Sequence, residues 1–359
     1  MFTAIIFIVV LSVLVLAHEL GHFWAARRAG MRVEEFGFGF PPRLFRFKKG
    51  DTVYSINLIP FGGFVKILGE DGNNQDSPES FISKKAGTRS LVLAAGVLMN
   101  ILLTVILLSI GNFSGLRIGL ADGQGAGASD IKVQIVEVVT GGPAEVAGIR
   151  IFDEIINATA GGSTQNVTDI AEFQKLINEN RGQEVNLKIA RGGKVFDYQI
   201  IPRLNPPPGQ GALGISLART GVVKSPWYLA IPNAARDTFL MLTALISGYI
   251  GIIKNIFLTG KAGIEVTGPI GIAVITGQAA RQGWVFLIQL TAWISINLAV
   301  INSLPFPALD GGRLLFVLIE KLKGSPVPRK LEASINAAGF AFLLALMVII
   351  TAKDLIKFF

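Results

Sequence analysis

The sequence predicts a polytopic α-helical membrane protein with a soluble domain inserted between its spans. Three observations predict it. Of 359 residues, 51% are hydrophobic and only 16% charged, with a mean hydropathy of +0.54. Uncharged apolar runs recur at 1–17, 91–110, 284–304 and 336–350. Between the second and third runs the composition changes: residues 113–283 carry fifteen basic and thirteen acidic side chains and include strand-like alternation. The net charge of +8 fits basic loops that hold a membrane protein in place, and it calls for no nucleic-acid partner.

The first span, residues 1–28, carries the chemistry. Its uncharged run MFTAIIFIVVLSVLVLA leads into His18-Glu19-Leu20-Gly21-His22, which holds both of the chain's histidines. On a helix, positions i and i+4 share a face, so both imidazoles reach one metal ion. Glu19 is then placed to act as base on a water at that metal. Ionisable groups in a span are costly, and such a cluster reads as functional. A cleaved signal peptide is the plain alternative, opposed by the missing basic n-region and the poor cleavage site Ala17-His18-Glu19. Cysteine is absent, so the ligands must be His and carboxylate, a set suited to zinc with one open position.

Arg27 and Arg28 close this span. Residues 27–89 hold eleven Lys/Arg against seven Asp/Glu, which puts 29–89 on the cytoplasmic side and the histidines toward that end of the span. Within it, residues 36–67 predict a membrane-associated, re-entrant β-hairpin. Phe36-Gly37-Phe38-Gly39-Phe40 alternates, and two further alternating runs flank the Lys48-Lys49-Gly50-Asp51 turn. Such backbone enters membrane depth only where it is buried in protein or lines water. It can offer an edge strand to an extended substrate, or serve packing alone. Residues 70–80 read as a polar loop.

Residues 90–111 form the second span. Its Asn100 suits a hydrogen bond across helices, the plainer role, or an approach to the metal. Residues 112–129 read as a Gly-rich linker. Then come the strand-like Ile131–Val138, Gly141-Gly142-Pro143-Ala144-Glu145-Val146-Ala147-Gly148-Ile149, Asp153-Glu154-Ile155-Ile156-Asn157-Ala158, an amphipathic helix at 168–177 and strands near 184–190 and 195–201. This order resembles a circularly permuted PDZ domain of the bacterial protease type, here residues 130–218. The resemblance implies that Gly211-Ala212-Leu213-Gly214-Ile215-Ser216 is its carboxylate-binding strand.

Residues 227–258 are apolar again, interrupted by Arg236, Asp237 and Lys254, and fit either a span or helices on the membrane surface. Residues 283–304 form a clean span, 305–333 a loop and helix, and 334–353 the last span. Five basic residues against two acidic at 312–333 put that connection on the cytoplasmic side. Two histidines require a third ligand. Asp310 is the strongest candidate: it stands alone in an apolar stretch, after Pro305 and Pro307 and before Gly311-Gly312, where broken helix geometry can turn a side chain toward a site. Taken alone, it reads as a helix N-cap.

Together the H-E-x-G-H of the first span and the N-x-x-P-x-P-x-L-D-G-G of 302–312 resemble the site-2 protease family of intramembrane zinc metalloproteases, and within it the bacterial RseP-like branch with an inserted PDZ domain. The likeness extends through the hairpin, Ala95-Gly96…Asn100, the PDZ insert and Thr267-Gly268-Pro269-Ile270-Gly271-Ile272. There are two departures. Val97 stands where many relatives have proline, and one PDZ domain is present where some carry two, which bears on how substrates are screened. The resemblance implies one Zn2+ per chain on His18, His22 and Asp310, with Glu19 as base. It implies a substrate or oxyanion contact for Asn302, helix capping being the other role open to it. It also implies a bacterial cytoplasmic membrane enzyme of regulated intramembrane proteolysis, with an extracytoplasmic PDZ domain gating access. The expected substrates are single-pass membrane proteins such as anti-sigma factors, or remnant signal peptides, cleaved within the bilayer.

Topology then bears on 227–258. A full span there would put Asp310 across a core of about 30 Å from the histidines. Residues 219–282 are therefore read as extracytoplasmic amphipathic helices, and the expected fold has four transmembrane helices, a re-entrant β-hairpin and the inserted PDZ domain. Two readings of other classes compete. A membrane PDZ scaffold with a vestigial metal site has no use for Glu19, and a metal transporter is expected to show repeated halves, which this sequence lacks.

Overall fold

The computed structural model describes residues 2–71, 76–120, 127–260, 267–325 and 327–358. The chain begins with α1 (Phe2–Arg28), β1 (Val33–Lys49), β2 (Thr52–Ile67), α2 (Ala86–Ser114) and β3 (Leu116–Gly119). There follow β4 (Ser129–Val138), α3 (Pro143–Val146), β5 (Glu154–Ala160), β6 (Ser163–Asn166), α4 (Ile170–Glu179), β7 (Val185–Arg191), β8 (Lys194–Ile200) and β9 (Ile215–Val223). The helices α5 (Trp227–Thr259), α6 (Pro269–Gln282), α7 (Trp284–Ser303), α8 (Asp310–Lys323) and α9 (Arg329–Phe358) complete it. Two compact units result, one of residues 1–109, 231–273 and 290–359, the other of 110–230 and 274–289.

In the first unit, a small bent sheet packs against α1 and α2. β1 and β2 turn at Gly50, whose φ of 62° suits glycine. Their register is double: Phe36 pairs with Tyr54 on one side and Val65 on the other, and Gly37 with Ser55 and Phe64. Each long strand is bent, so four runs lie side by side in the order 63–67, 33–38, 53–57 and 43–49. This is richer than a plain hairpin over 36–67. Pro41, Pro42 and Pro60 cannot donate to a ladder, and the strands bend at these positions. Phe23, Val33, Ile67, Phe81 and Val92 form the buried core that joins the sheet to α1 and α2.

Among the described residues five helices are long and apolar enough to cross a membrane: α1, α2, α5, α7 and α9. The expected number is four, and α5 makes the difference. It is one unbroken helix of 33 residues where several surface helices are expected. Pro232 falls in its second turn, and from Thr238 to Thr259 Lys254 is the only charge, so nothing in that stretch stops a helix. Tyr249 Oη lies 3.3 Å from Asn297 Oδ1 and ties α5 to α7.

At the end of α9, the buried Asp354 accepts hydrogen bonds from Gly268 N (3.2 Å) and Gly271 N (2.8 Å), and so caps the start of α6 from another helix.

The second unit is an antiparallel sheet in the order β3-β9-β4-β5-β7-β8, with β6 paired to β5. Val133, Ile135, Ile155, Leu187 and Ile189 bury one face, and α4 adds Phe173 and Ile177. Asp169 caps α4, accepting from Ala171 N (2.7 Å) and Glu172 N (3.1 Å). Asp153 is fully buried and takes two bonds from Arg191, at 2.6 and 2.5 Å. The sheet exceeds the bounds of 130–218. The segment expected as a linker contributes β3, which pairs with the 220–223 end of β9 and buries Leu116 and Arg117. Residues 121–126 of that linker, 72–75 of the polar loop and Pro326 lie outside the described residues.

Candidate metal centre

The centre is assembled in the first unit from α1, α2 and α8. Helical spacing puts His18 and His22 on one face of α1, where both are buried, with their Nε2 atoms 3.2 Å apart. Asp310 brings Oδ2 to 3.0 Å from His18 Nε2 and 3.4 Å from His22 Nε2. Asp310 is therefore not an N-cap: it is the first residue of α8, Leu309 holds the cap position, and no side chain caps the helix. A carboxylate in the first turn is also favoured by the helix dipole.

The loop before α8 is shaped to deliver this side chain. Ala308 adopts φ 73°, and its N–H donates to Asn336 Oδ1 of α9 at 3.1 Å. At Gly311 and Gly312 a Cβ would stand 2.2 Å from the carbonyl oxygens of Leu304 and Phe306 respectively, so the loop folds back on α8 only because both positions lack one.

α2 supplies the other wall. His22 Nδ1 lies 2.9 Å from the carbonyl oxygen of Val92 and donates to it, which leaves Nε2 with its lone pair. The Asn100 side-chain amide is 3.3 Å from His18 Nδ1. Between these two anchors, a Cβ at Gly96 would stand 2.4 Å from His22 Nε2.

Three acceptor atoms thus converge, and Asp310 Oδ2 is buried without a hydrogen bond. That arrangement asks for a cation. Zinc bonds of 2.0–2.1 Å with tetrahedral angles put ligand atoms about 3.3 Å apart, and the three separations bracket that value. The donor set fits zinc.

Glu19 is half-buried beside His18, and a Cβ on Gly63 in β2 would lie 3.3 Å from its Cγ. The sheet edge 63–67 therefore runs past Glu19. Asn302 sits in the last turn of α7, half-buried, and is not one of the three residues brought together. Several supporting residues lie outside the sequence reading. Glu70 ion-pairs with Arg313, one turn after Asp310, and its Oε2 accepts from Ile67 N at 3.3 Å, so α8 is tied to the end of β2. Arg89 and Glu320 pair α2 with α8. A cavity of about 330 Å³ lined by Arg89, Arg313, Glu320 and Asn336 is separate from the triad. The only sequence signal for Asn336 is a polar residue opening an apolar run.

The chain is similar to known proteins along nearly its whole length. Residues 6–346 match Peptidase family M50. The chain is 38% identical over 347 residues to a protein of Clostridium perfringens named as a zinc metalloprotease, covering 96% of each. It is 30% identical to the zinc metalloprotease RasP of Oceanobacillus iheyensis over the full length of both. It is 29% identical to the regulator of sigma-W protease RasP of Bacillus subtilis, covering 99% of each. The chain belongs to peptidase family M50, the site-2 proteases, and is an integral membrane zinc metalloprotease.

Proposed function

We propose that this enzyme cleaves transmembrane segments of membrane-anchored substrates in regulated intramembrane proteolysis, with His18, His22 and Asp310 holding one zinc ion and Glu19 as the base. The observation that carries the reading is the convergence of two Nε2 atoms and Oδ2 at 3.0–3.4 Å among apolar helices, with Glu19 adjacent. When bound, zinc supplies a Lewis acid for the scissile carbonyl and acidifies water. The reaction is hydrolysis. Glu19 removes a proton as water adds to the carbonyl carbon, then delivers it to the amine nitrogen as the C–N bond breaks.

A substrate helix hides its carbonyls in its own hydrogen bonds and must be held extended. The sheet edge 63–67, whose Gly63 faces Glu19 closely enough that an added Cβ would lie 3.3 Å from its Cγ, is suited to that task by strand addition. Asn302 is assigned a contact with the substrate or the oxyanion. The second unit is read as a PDZ-type domain on the extracytoplasmic side of a bacterial cytoplasmic membrane, where it excludes substrates that still carry bulky external domains. The name of the Bacillus subtilis relative supports anti-sigma factors as one substrate class, remnant signal peptides being another.

The test uses purified full-length protein in detergent, wild type beside Glu19→Gln, with zinc content and cleavage of a model transmembrane substrate read together. One zinc per chain in both, with cleavage by wild type only, is the expected result. A wild type without zinc would overturn the site. Deleting 130–218 tests the gate: substrates with intact external domains should then be cut, and their continued resistance would overturn it.

A further inference from the structure

We propose that Asn100 is a positioning residue for His18, its side-chain carbonyl accepting the Nδ1–H and thereby fixing the tautomer that presents Nε2 to zinc. The inference rests on the reading of His18 as a zinc ligand.

His18 Nε2 faces His22 Nε2 and Asp310 Oδ2, so it must carry the lone pair and Nδ1 the proton. The Asn100 amide stands 3.3 Å from that Nδ1 with its nitrogen foremost, while its oxygen is buried without a hydrogen bond. Two N–H groups cannot bond to each other. The two ends of an amide are alike in shape, and half a turn about its last bond puts the oxygen against Nδ1–H, which resolves the clash.

The spacing along α2 supports this role. Val92, Gly96 and Asn100 are at i, i+4 and i+8 and share one face. Val92 holds His22 through its carbonyl at 2.9 Å, Gly96 leaves room for the ring nitrogens, and Asn100 stands at His18. Asn100 is itself immobilised. It is fully buried, and its main-chain oxygen accepts from Ser295 Oγ at 2.8 Å and Thr104 Oγ1 at 2.9 Å. One histidine is thus held by the backbone and the other by a replaceable side chain. A ligand held through its far nitrogen is oriented and made more basic.

The experiment measures zinc affinity by chelator competition, and the visible spectrum of the cobalt(II)-substituted protein, for wild type and variants in detergent. Asn100→Ala should weaken zinc by about 10- to 100-fold and shift the cobalt spectrum. Asn100→Asp, which keeps an acceptor of the same shape, should restore both. Ser295→Ala, which loosens the same helix contact without touching His18, should leave both near wild type. An Asn100→Ala protein with wild-type affinity and spectrum overturns the proposal, whatever its thermal stability. Equal losses in Asn100→Ala and Ser295→Ala do so too, because they mark a packing role. If wild type itself binds neither metal, it is the ligand assignment that fails.

Discussion

Gly96 on α2 and His22 on α1 lie so close that a Cβ on Gly96 would stand 2.4 Å from His22 Nε2 and 2.8 Å from His18 Nε2. No rotamer change relieves this, because Val92 already anchors the His22 ring from its other nitrogen. Gly96→Ala should therefore displace both ligand atoms and lower zinc affinity by about tenfold or more. Gly87→Ala, on the same helix with nothing within 4 Å of the added carbon, should keep its zinc. Zinc per chain after dialysis against a weak chelator checks the pair, and equal retention would show that α2 yields.

Glu19 and Asp310 should separate by what each loses. Glu19→Gln keeps all three ligand atoms and should retain zinc while cleavage falls by about 10²- to 10⁴-fold, the contribution of a positioned base. Asp310→Asn gives up the buried Oδ2 charge and should lose both zinc and activity. Chelating zinc from wild type should reproduce the second phenotype, and adding zinc back should reverse it. Zinc retained by Asp310→Asn at wild-type affinity would remove Asp310 from the ligand set.

How much of this was legible depends on whether a residue's partner is near in sequence. His18, Glu19 and His22 lie within one helical turn, so spacing alone presented them together. Asp310 was legible because prolines and glycines mark a broken helix around a lone acid, although its partners are nearly 300 residues away. Asn100 read as a hydrogen bond across helices, the plainer role, or an approach to the metal; its partner His18 sits on another helix, and no local pattern singles that histidine out. Asn336, Asp354 and the Glu70–Arg313 pair went unread for the same reason. β3 was hidden because its four residues, Leu116–Gly119, are too short a run to signal a strand beside a Gly-rich stretch, and only β9, a hundred residues later, makes them one. The composition of 227–258 suits a surface helix or a span equally well, and α5 continues to Thr259 because no second proline follows Pro232.

The pair Arg89–Glu320 is uneven in burial, and that should appear in stability. The Arg89 side chain is 9% exposed and that of Glu320 27%. Glu320→Ala leaves an almost buried cation without its counter-charge and should cost about 3 kcal/mol or more. Arg89→Met fills the same volume with an apolar chain and leaves a carboxylate that still reaches water, so about 1 kcal/mol is expected. Unfolding in mixed micelles with increasing denaturing detergent measures both. Equal losses would mean that water reaches Arg89 when Glu320 is gone.

The loop that delivers Asp310 should respond oppositely at two positions three residues apart. Ala308 sits at φ 73°, a left-handed conformation that disfavours any residue with a Cβ by about 1–2 kcal/mol. Ala308→Gly removes that strain and loosens the unfolded chain, so stability should hold or rise by about 1 kcal/mol with cleavage intact. At Gly311 the added carbon would meet the Leu304 carbonyl oxygen at 2.2 Å, and the obstacle is backbone held in the turn where Leu304 N bonds Ile301 O. Gly311→Ala must therefore push α8 away, and Asp310 Oδ2 with it, from histidines that α2 keeps in place. Zinc affinity and cleavage should fall together, while the second unit, which contains none of these residues, keeps its fold. Measuring zinc content alongside the near-ultraviolet spectrum separates this local displacement from general unfolding. A Gly311→Ala enzyme with full zinc and full activity would show that α8 does not position its first residue.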